Sequence, residues 1–167
     1  MSIYISEYVS YNEVTHSPTA LRKNIKNEPN IKQLRRIRLL CIKVFDPLRE
    51  WVGGPIKVNS VFRSEKLNRI IGGSSKSQHL ANKGAAIDID DTYGYKSNLE
   101  MFYYIKNNIE FDQLIVEFPI NGKPKWLHIS YNKDGNRNQI LIATKINQRT
   151  KYLLYDDNKH LVSSKDC

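Results

Sequence analysis

Ser77–Asp90 reads SQHLANKGAAIDID: a lone histidine, a small polar loop, and an apolar run that ends acid, hydrophobe, acid. Successive side chains of a strand alternate between faces, so Asp88 and Asp90 share one side while Ile87 and Ile89 share the other. Acidic residues are poor strand formers, and a pair on one face asks for a reason. Either this is an ordinary turn feeding a strand, or His79 and Asp88 grip one ion across the loop. Periodicity does not choose between Asp88 and Asp90.

Outward from this stretch the pattern is mainly helical before it and strand-like after it. Ser10 with Glu13 reads as a capping box, and Ser17-Pro18 as an N-cap followed by proline at the first helical position. Apolar residues at helical spacing (Leu34, Ile37, Cys41, Val44, Phe45, Leu48) predict one long amphipathic helix over 31–51, stopped by Gly53-Gly54-Pro55. Ile56–Phe62 reads as a strand and Ser64–Ile71 as a short helix closed by Gly72-Gly73. Ala85–Ile89 is a short strand, and Ser97 with Glu100 caps a helix to about Asn108. Gln113–Phe118, Trp126–Tyr131 and Gln139–Ala143 are strand candidates, with turns at Asn121-Gly122 and Asp134-Gly135. The expected class is α+β: N-terminal helices packed on a small, largely antiparallel sheet. Residues 1–144 form the expected domain. Residues 145–167 read as a charged C-terminal extension, in which Tyr152–Tyr155 is either a last edge strand or a docked segment.

The chain has 167 residues, 40% hydrophobic and 26% charged, which suits a single globular domain with its own core. Cys41 falls in the helical pattern and Cys167 is the last residue, so both read as free thiols of a reducing compartment. The N-terminus lacks the pattern of a signal peptide, and no apolar run approaches the roughly 20 residues of a membrane span. Of the formal net charge of +9, much lies between Arg22 and Arg38. Such a field attracts nucleic acid, anionic lipid or acidic wall polymer without choosing among them, and a solvated helix face explains it equally well. Specific nucleic-acid binding is not expected, because these charges are not interleaved with exposed aromatics.

Four histidines occur. His16 and His160 lie in polar, terminal stretches and read as surface residues. His79 stands in a Ser/Gly-rich loop, and His128 sits in KWLHISY, where it alternates with Leu127 and Ile129. Glu117 closes the apolar run QLIVEF. Zinc accepts imidazole nitrogen and carboxylate oxygen, and catalytic zinc sites use three protein ligands. Two histidines and an aspartate fit that chemistry, with a nearby glutamate free to move protons. The spacing is no compact motif, so spacing alone favours histidines bonded to backbone and solvated acids at a sheet end.

VNSVFRS, LNRIIGGSSKSQH, GAAIDID, FDQLIVEF and WLHISY, in that order, resemble the zinc peptidases of the D-alanyl-D-alanine carboxypeptidase type, the M15 family, and in particular its small phage and bacterial branch. The resemblance runs from about Tyr8 to about Tyr131. It implies His79, Asp88 and His128 as zinc ligands, with Asp90 at the rim. It implies Glu117 as the general base and acid acting on metal-activated water, and Arg63 as the residue that holds or polarises substrate. The implied activity is hydrolysis of peptide stems or cross-bridges of bacterial peptidoglycan, as a DD-carboxypeptidase or an endopeptidase. The implied setting is a phage endolysin in the host cytoplasm that acts on the wall at lysis, or a virion-associated lysin alongside other virion proteins. The competing reading is a catalytically silent virion component that keeps the fold. Two departures stand out: Ser60-Val61-Phe62-Arg63 replaces the family's Ser-Gly-Tyr-Arg, and the loop between His79 and Gly84 is slightly long. That loop is expected to bulge outward without moving either ligand.

Overall fold

The structure is a computed structural model in which residues 3–157 are described; His160 and Cys167 lie outside them. Helix α1 (Tyr11–Thr15) begins on the reciprocal Ser10/Glu13 box, and α2 (Pro18–Arg22) on the Ser17 side chain with Pro18 just inside. Helix α3 (Ile31–Leu40) starts from a second reciprocal box, Asn30 with Gln33, which sequence reading did not pick out.

The spacing over 31–51 predicts one α-helix, and the structure differs in the middle. Helix α3 passes into a π turn, Cys41–Phe45, before α4 (Asp46–Val52) completes the rod. The Asp46 N–H reaches back five residues to the Cys41 carbonyl. Pro47 supplies the physical reason: it has no N–H to donate, and its ring crowds the carbonyl of Lys43 one turn back. A widened turn accommodates both defects without breaking the helix. Gly53 ends the rod in the left-handed conformation, φ +73°, and returns its N–H to Arg49 and Glu50.

The remaining elements are β1 (Lys57–Ser60), α5 (Glu65–Ile70), a 3-10 turn at Gln78–Leu80, β2 (Ala85–Asp90), α6 (Asn98–Asn108), β3 (Gln113–Glu117), β4 (Trp126–Tyr131), β5 (Gln139–Ile146) and β6 (Arg149–Leu154). Ser64 caps α5, and the Ser97/Glu100 box opens α6. Six strands form one sheet among the described residues, in the order β1-β2-β4-β3-β5-β6. Every neighbouring pair is antiparallel except β3 with β5. The class is therefore α+β with a mostly antiparallel sheet. Strand β5 continues past residue 144, and Tyr152–Leu154 lie in the edge strand that pairs with it.

The sheet has one dry face. Ile87, Ile89, Leu114, Val116, Leu127 and Ile129 pack in one cluster with Ile37, Leu40, Val44 and Leu48 of the long rod and Met101, Phe102 and Ile105 of α6. Cys41 is buried among them as a free thiol, and burial pushes it up to about 12, so it stays protonated and inert. Because side chains alternate, the residues between these hydrophobes point to the opposite face. That face carries the site. Among the described residues no helix is long and apolar enough to cross a membrane.

Candidate metal centre

Asp88 and His128 are register partners on β2 and β4, and His128 is also the partner of Ile115 on β3. Glu117, two residues beyond Ile115, therefore lies on the same face, one step along the neighbouring strand. His79 reaches this face from the 3-10 turn, where its backbone N–H donates to the Ser77 hydroxyl. Side-chain ligand atoms of His79, Asp88 and His128 all lie within 4.8 Å of one another, and all three residues are buried.

Proton bookkeeping decides what this cluster fits. The Val61 carbonyl can only accept, so His79 donates Nδ1–H to it across 2.7 Å. That leaves the bare Nε2 lone pair of neutral His79 facing the Asp88 carboxylate at 3.2 Å. Burial pushes the His79 imidazole below its ordinary value, although the neighbouring Asp88 pulls the other way. Burial likewise pushes Asp88 up, but the His79 and His128 imidazoles, when they face it protonated, outweigh burial and hold the carboxyl well below the usual range. His128 Nδ1 stands 2.9 Å from Asp88 Oδ1. A bare nitrogen and an ionised carboxylate in contact repel unless a cation lies between them. Two imidazoles and one carboxylate are the donor set that zinc accepts, so the residues present fit that metal.

Glu117 is buried beside the cluster, and burial is the main cause that lifts its carboxyl to about 7; Asp88 adds to the rise, while His128 and Arg63 oppose it. A carboxyl poised near neutrality can both take and return a proton. Arg63 donates from Nη2 to Asp88 Oδ2 at 2.9 Å and from Nε to Ser60 Oγ at 3.0 Å. Its guanidinium thus braces the carboxylate while lining the cleft. Asp90 turns aside: it accepts from Asn59 and from Thr92, at the rim of the sheet.

Both departures have a structural account. Phe62 is a packed core ring, and Val61 serves through its backbone carbonyl. In the lengthened loop Asn82 and Lys83 are exposed, while α3 ties down its inner side: Gln33 Nε2 donates to Leu80 O at 2.9 Å, and Arg36 to Ala81 O at 3.1 Å. Two polar residues of the basic helix are thus structural ties. At Gly84 an added Cβ would stand 2.6 Å from the Tyr131 carbonyl, so glycine here lets β2 begin tight against β4.

The site opens into a cleft of about 800 Å³ whose walls include Arg63, Glu117, Trp126, Leu141, Thr150 and Tyr152. Sequence reading singled out neither Thr150 nor Tyr152 for the site. Only the sheet order reveals them, by placing Tyr152 in register with Ala143, and Ala143 with Glu117. Of the other histidines, His16 is exposed and away from the cluster.

A buried His/Asp/His group that could hold a metal, with a carboxyl poised near neutrality beside it on an α+β scaffold, fits a metal-dependent hydrolase. The chain belongs to the peptidase M15 family: the model described as Peptidase M15 matches residues 7–130, which makes it a metallopeptidase by family. No curated protein matches the chain.

Proposed function

We propose that the chain is a zinc-dependent peptidase that hydrolyses peptide bonds in the stems or cross-bridges of bacterial peptidoglycan, serving as a phage endolysin or virion-associated lysin. The observation that carries the reading is the convergence of His79, Asp88 and His128 beside Glu117 in one cleft. These three residues would hold the metal. Zinc, when bound, supplies a Lewis acid that polarises the scissile carbonyl and makes water a stronger acid.

The chain's own groups divide the remaining work. Glu117 takes a proton from the attacking water and returns it to the leaving nitrogen. Arg63 keeps Asp88 ionised and oriented, and offers a cation at the cleft wall for charge developing on the attacked oxygen. Val61 fixes the His79 ring. Trp126, Leu141 and Tyr152 present apolar surface along the cleft wall to the substrate. The peptidoglycan substrate and phage setting rest on the sequence resemblance, and the net charge of +9 suits an anionic wall.

The test is mass analysis of products from defined muropeptides, with and without chelator. Loss of a terminal D-alanine identifies a carboxypeptidase, and an internal cut identifies an endopeptidase. Chelator stops either one. Metal-loaded protein that leaves every muropeptide intact would overturn the reading in favour of a silent component.

A further inference from the structure

We propose that Arg137, Asp112 and Gln78 form a relay that fixes which nitrogen of His128 is free for metal, and so sets the affinity of the centre; this rests on reading His128 as a ligand.

The relay starts from a buried charge. Asp112, just before β3, is 3% exposed. Arg137 grips its carboxylate with Nε at 2.7 Å and Nη2 at 2.6 Å, and the Arg137 backbone N–H adds a third bond at 3.1 Å. The Ser130 hydroxyl lies 3.5 Å away on β4. An ionised carboxylate only accepts, so the Gln78 side chain must turn its NH2 toward Asp112, which it does at 2.5 Å. The Gln78 carbonyl oxygen then points the other way, 3.5 Å from His128 Nε2. Facing that acceptor, Nε2 would hold the proton when a metal takes Nδ1, which points at Asp88 across 2.9 Å.

The two histidines are thus set by different devices. His79 is fixed by a backbone carbonyl, which cannot rotate. His128 depends on an amide that can flip by 180° and present a donor instead, unless something holds it. Asp112 holds it, and Arg137 holds Asp112. Outer partners of this kind orient metal-binding imidazoles and raise their basicity. Arg137, the last link, lies beyond the family-matched residues 7–130.

The test compares zinc affinity, by chelator competition, among the parent protein and Gln78→Ala, Asp112→Asn, Arg137→Ala and Arg137→Lys. Thermal unfolding of each metal-free form reports on folding. Asp112→Asn and Gln78→Ala are expected to weaken zinc by about 10- to 100-fold, Arg137→Ala by less, and Arg137→Lys least. Nitrogen NMR of zinc-loaded protein should show His128 bound through Nδ1 with its proton on Nε2 in the parent, and a mixture of the two nitrogens in Gln78→Ala, a readout separate from activity. Parent-like affinity in Gln78→Ala and Asp112→Asn, or an unchanged tautomer in Gln78→Ala, would overturn the relay. A parent protein that binds no zinc would instead overturn the ligand assignment.

Discussion

Asp88 and His128 stand opposite each other on adjacent antiparallel strands, with His128 Nδ1 2.9 Å from Asp88 Oδ1. Strand pairing therefore sets their separation. Asp88 also receives Arg63 and His79, so one carboxylate is the hub of the centre.

Asp88→Asn keeps the shape of the hub and removes its charge. Zinc affinity should fall by more than the roughly 10- to 100-fold typical of outer partners, and dialysed protein should retain almost no metal by elemental analysis. Metal retained at parent level would remove Asp88 from the ligand set.

Glu117→Gln should keep its zinc and lose about 10²- to 10⁴-fold in hydrolysis, the usual worth of a general acid–base. Full activity on peptidoglycan fragments would sink the assignment.

The same variant carries a pH signature in metal-free protein. The Glu117 carboxyl rises from 4.5 to about 7 in the fold, so the folded state prefers it protonated. Stability from this group is fully present below pH 4.5 and is lost as pH climbs through about 7. Glu117→Gln should therefore match the parent in unfolding at pH 4 and exceed it at pH 8, by at most about 3 kcal/mol. A pH-independent difference would count against a buried, neutral-leaning carboxyl.

Gly84→Ala places a Cβ against the Tyr131 backbone, which cannot swing away. A cost of about 1–3 kcal/mol is expected from the forced shift, with weaker zinc binding because Asp88 lies further along the same strand. Gly53→Ala meets no neighbour within 4 Å and pays only for its left-handed backbone, about 1–2 kcal/mol. Denaturant titration of both, with zinc affinity measured alongside, separates the two effects.

Tyr152→Ala strips the outer wall of the cleft and leaves the ligands untouched. KM should rise about fivefold, in keeping with roughly 1 kcal/mol of aromatic contact, with kcat and bound zinc near parent values. An unchanged KM would place the substrate elsewhere.

The sheet was legible because Ile87/Ile89, Leu114/Val116 and Leu127/Ile129 alternate cleanly with the residues of the opposite face. That alternation also put Asp88 and Asp90 together. It left Asp88 unchosen, because the choice depends on what the neighbouring strand places opposite, and His128 stands there only in the folded register. Glu117 was visible as an acid ending an apolar strand, whereas its raised pKa comes from burial that no local pattern carries. The Gln78–Asp112–Arg137 chain left no trace in the sequence: its bonds span 34 and 25 residues, and each residue type is ordinary on a surface. Pro47, by contrast, was in plain view, and its conflict with an unbroken α-helix is what the π turn resolves.

That turn has a bearing on how the chain tolerates changes in its length. The extra residue absorbed at Cys41–Phe45 keeps Ile37 and Leu40 before it, and Leu48 and Val52 after it, in the same dry interface. Removing one residue there and tightening the turn to α would leave Leu48 and Val52 in phase with the sheet, but would return Pro47 to conflict with the preceding turn. The exposed Asn82–Lys83 loop has no such phase to keep, since Gly84 re-seats the chain before Asp88. One chain thus holds two kinds of inserted residue: one that a widened helical turn absorbs to seat a proline, and one that a neighbouring glycine makes expendable.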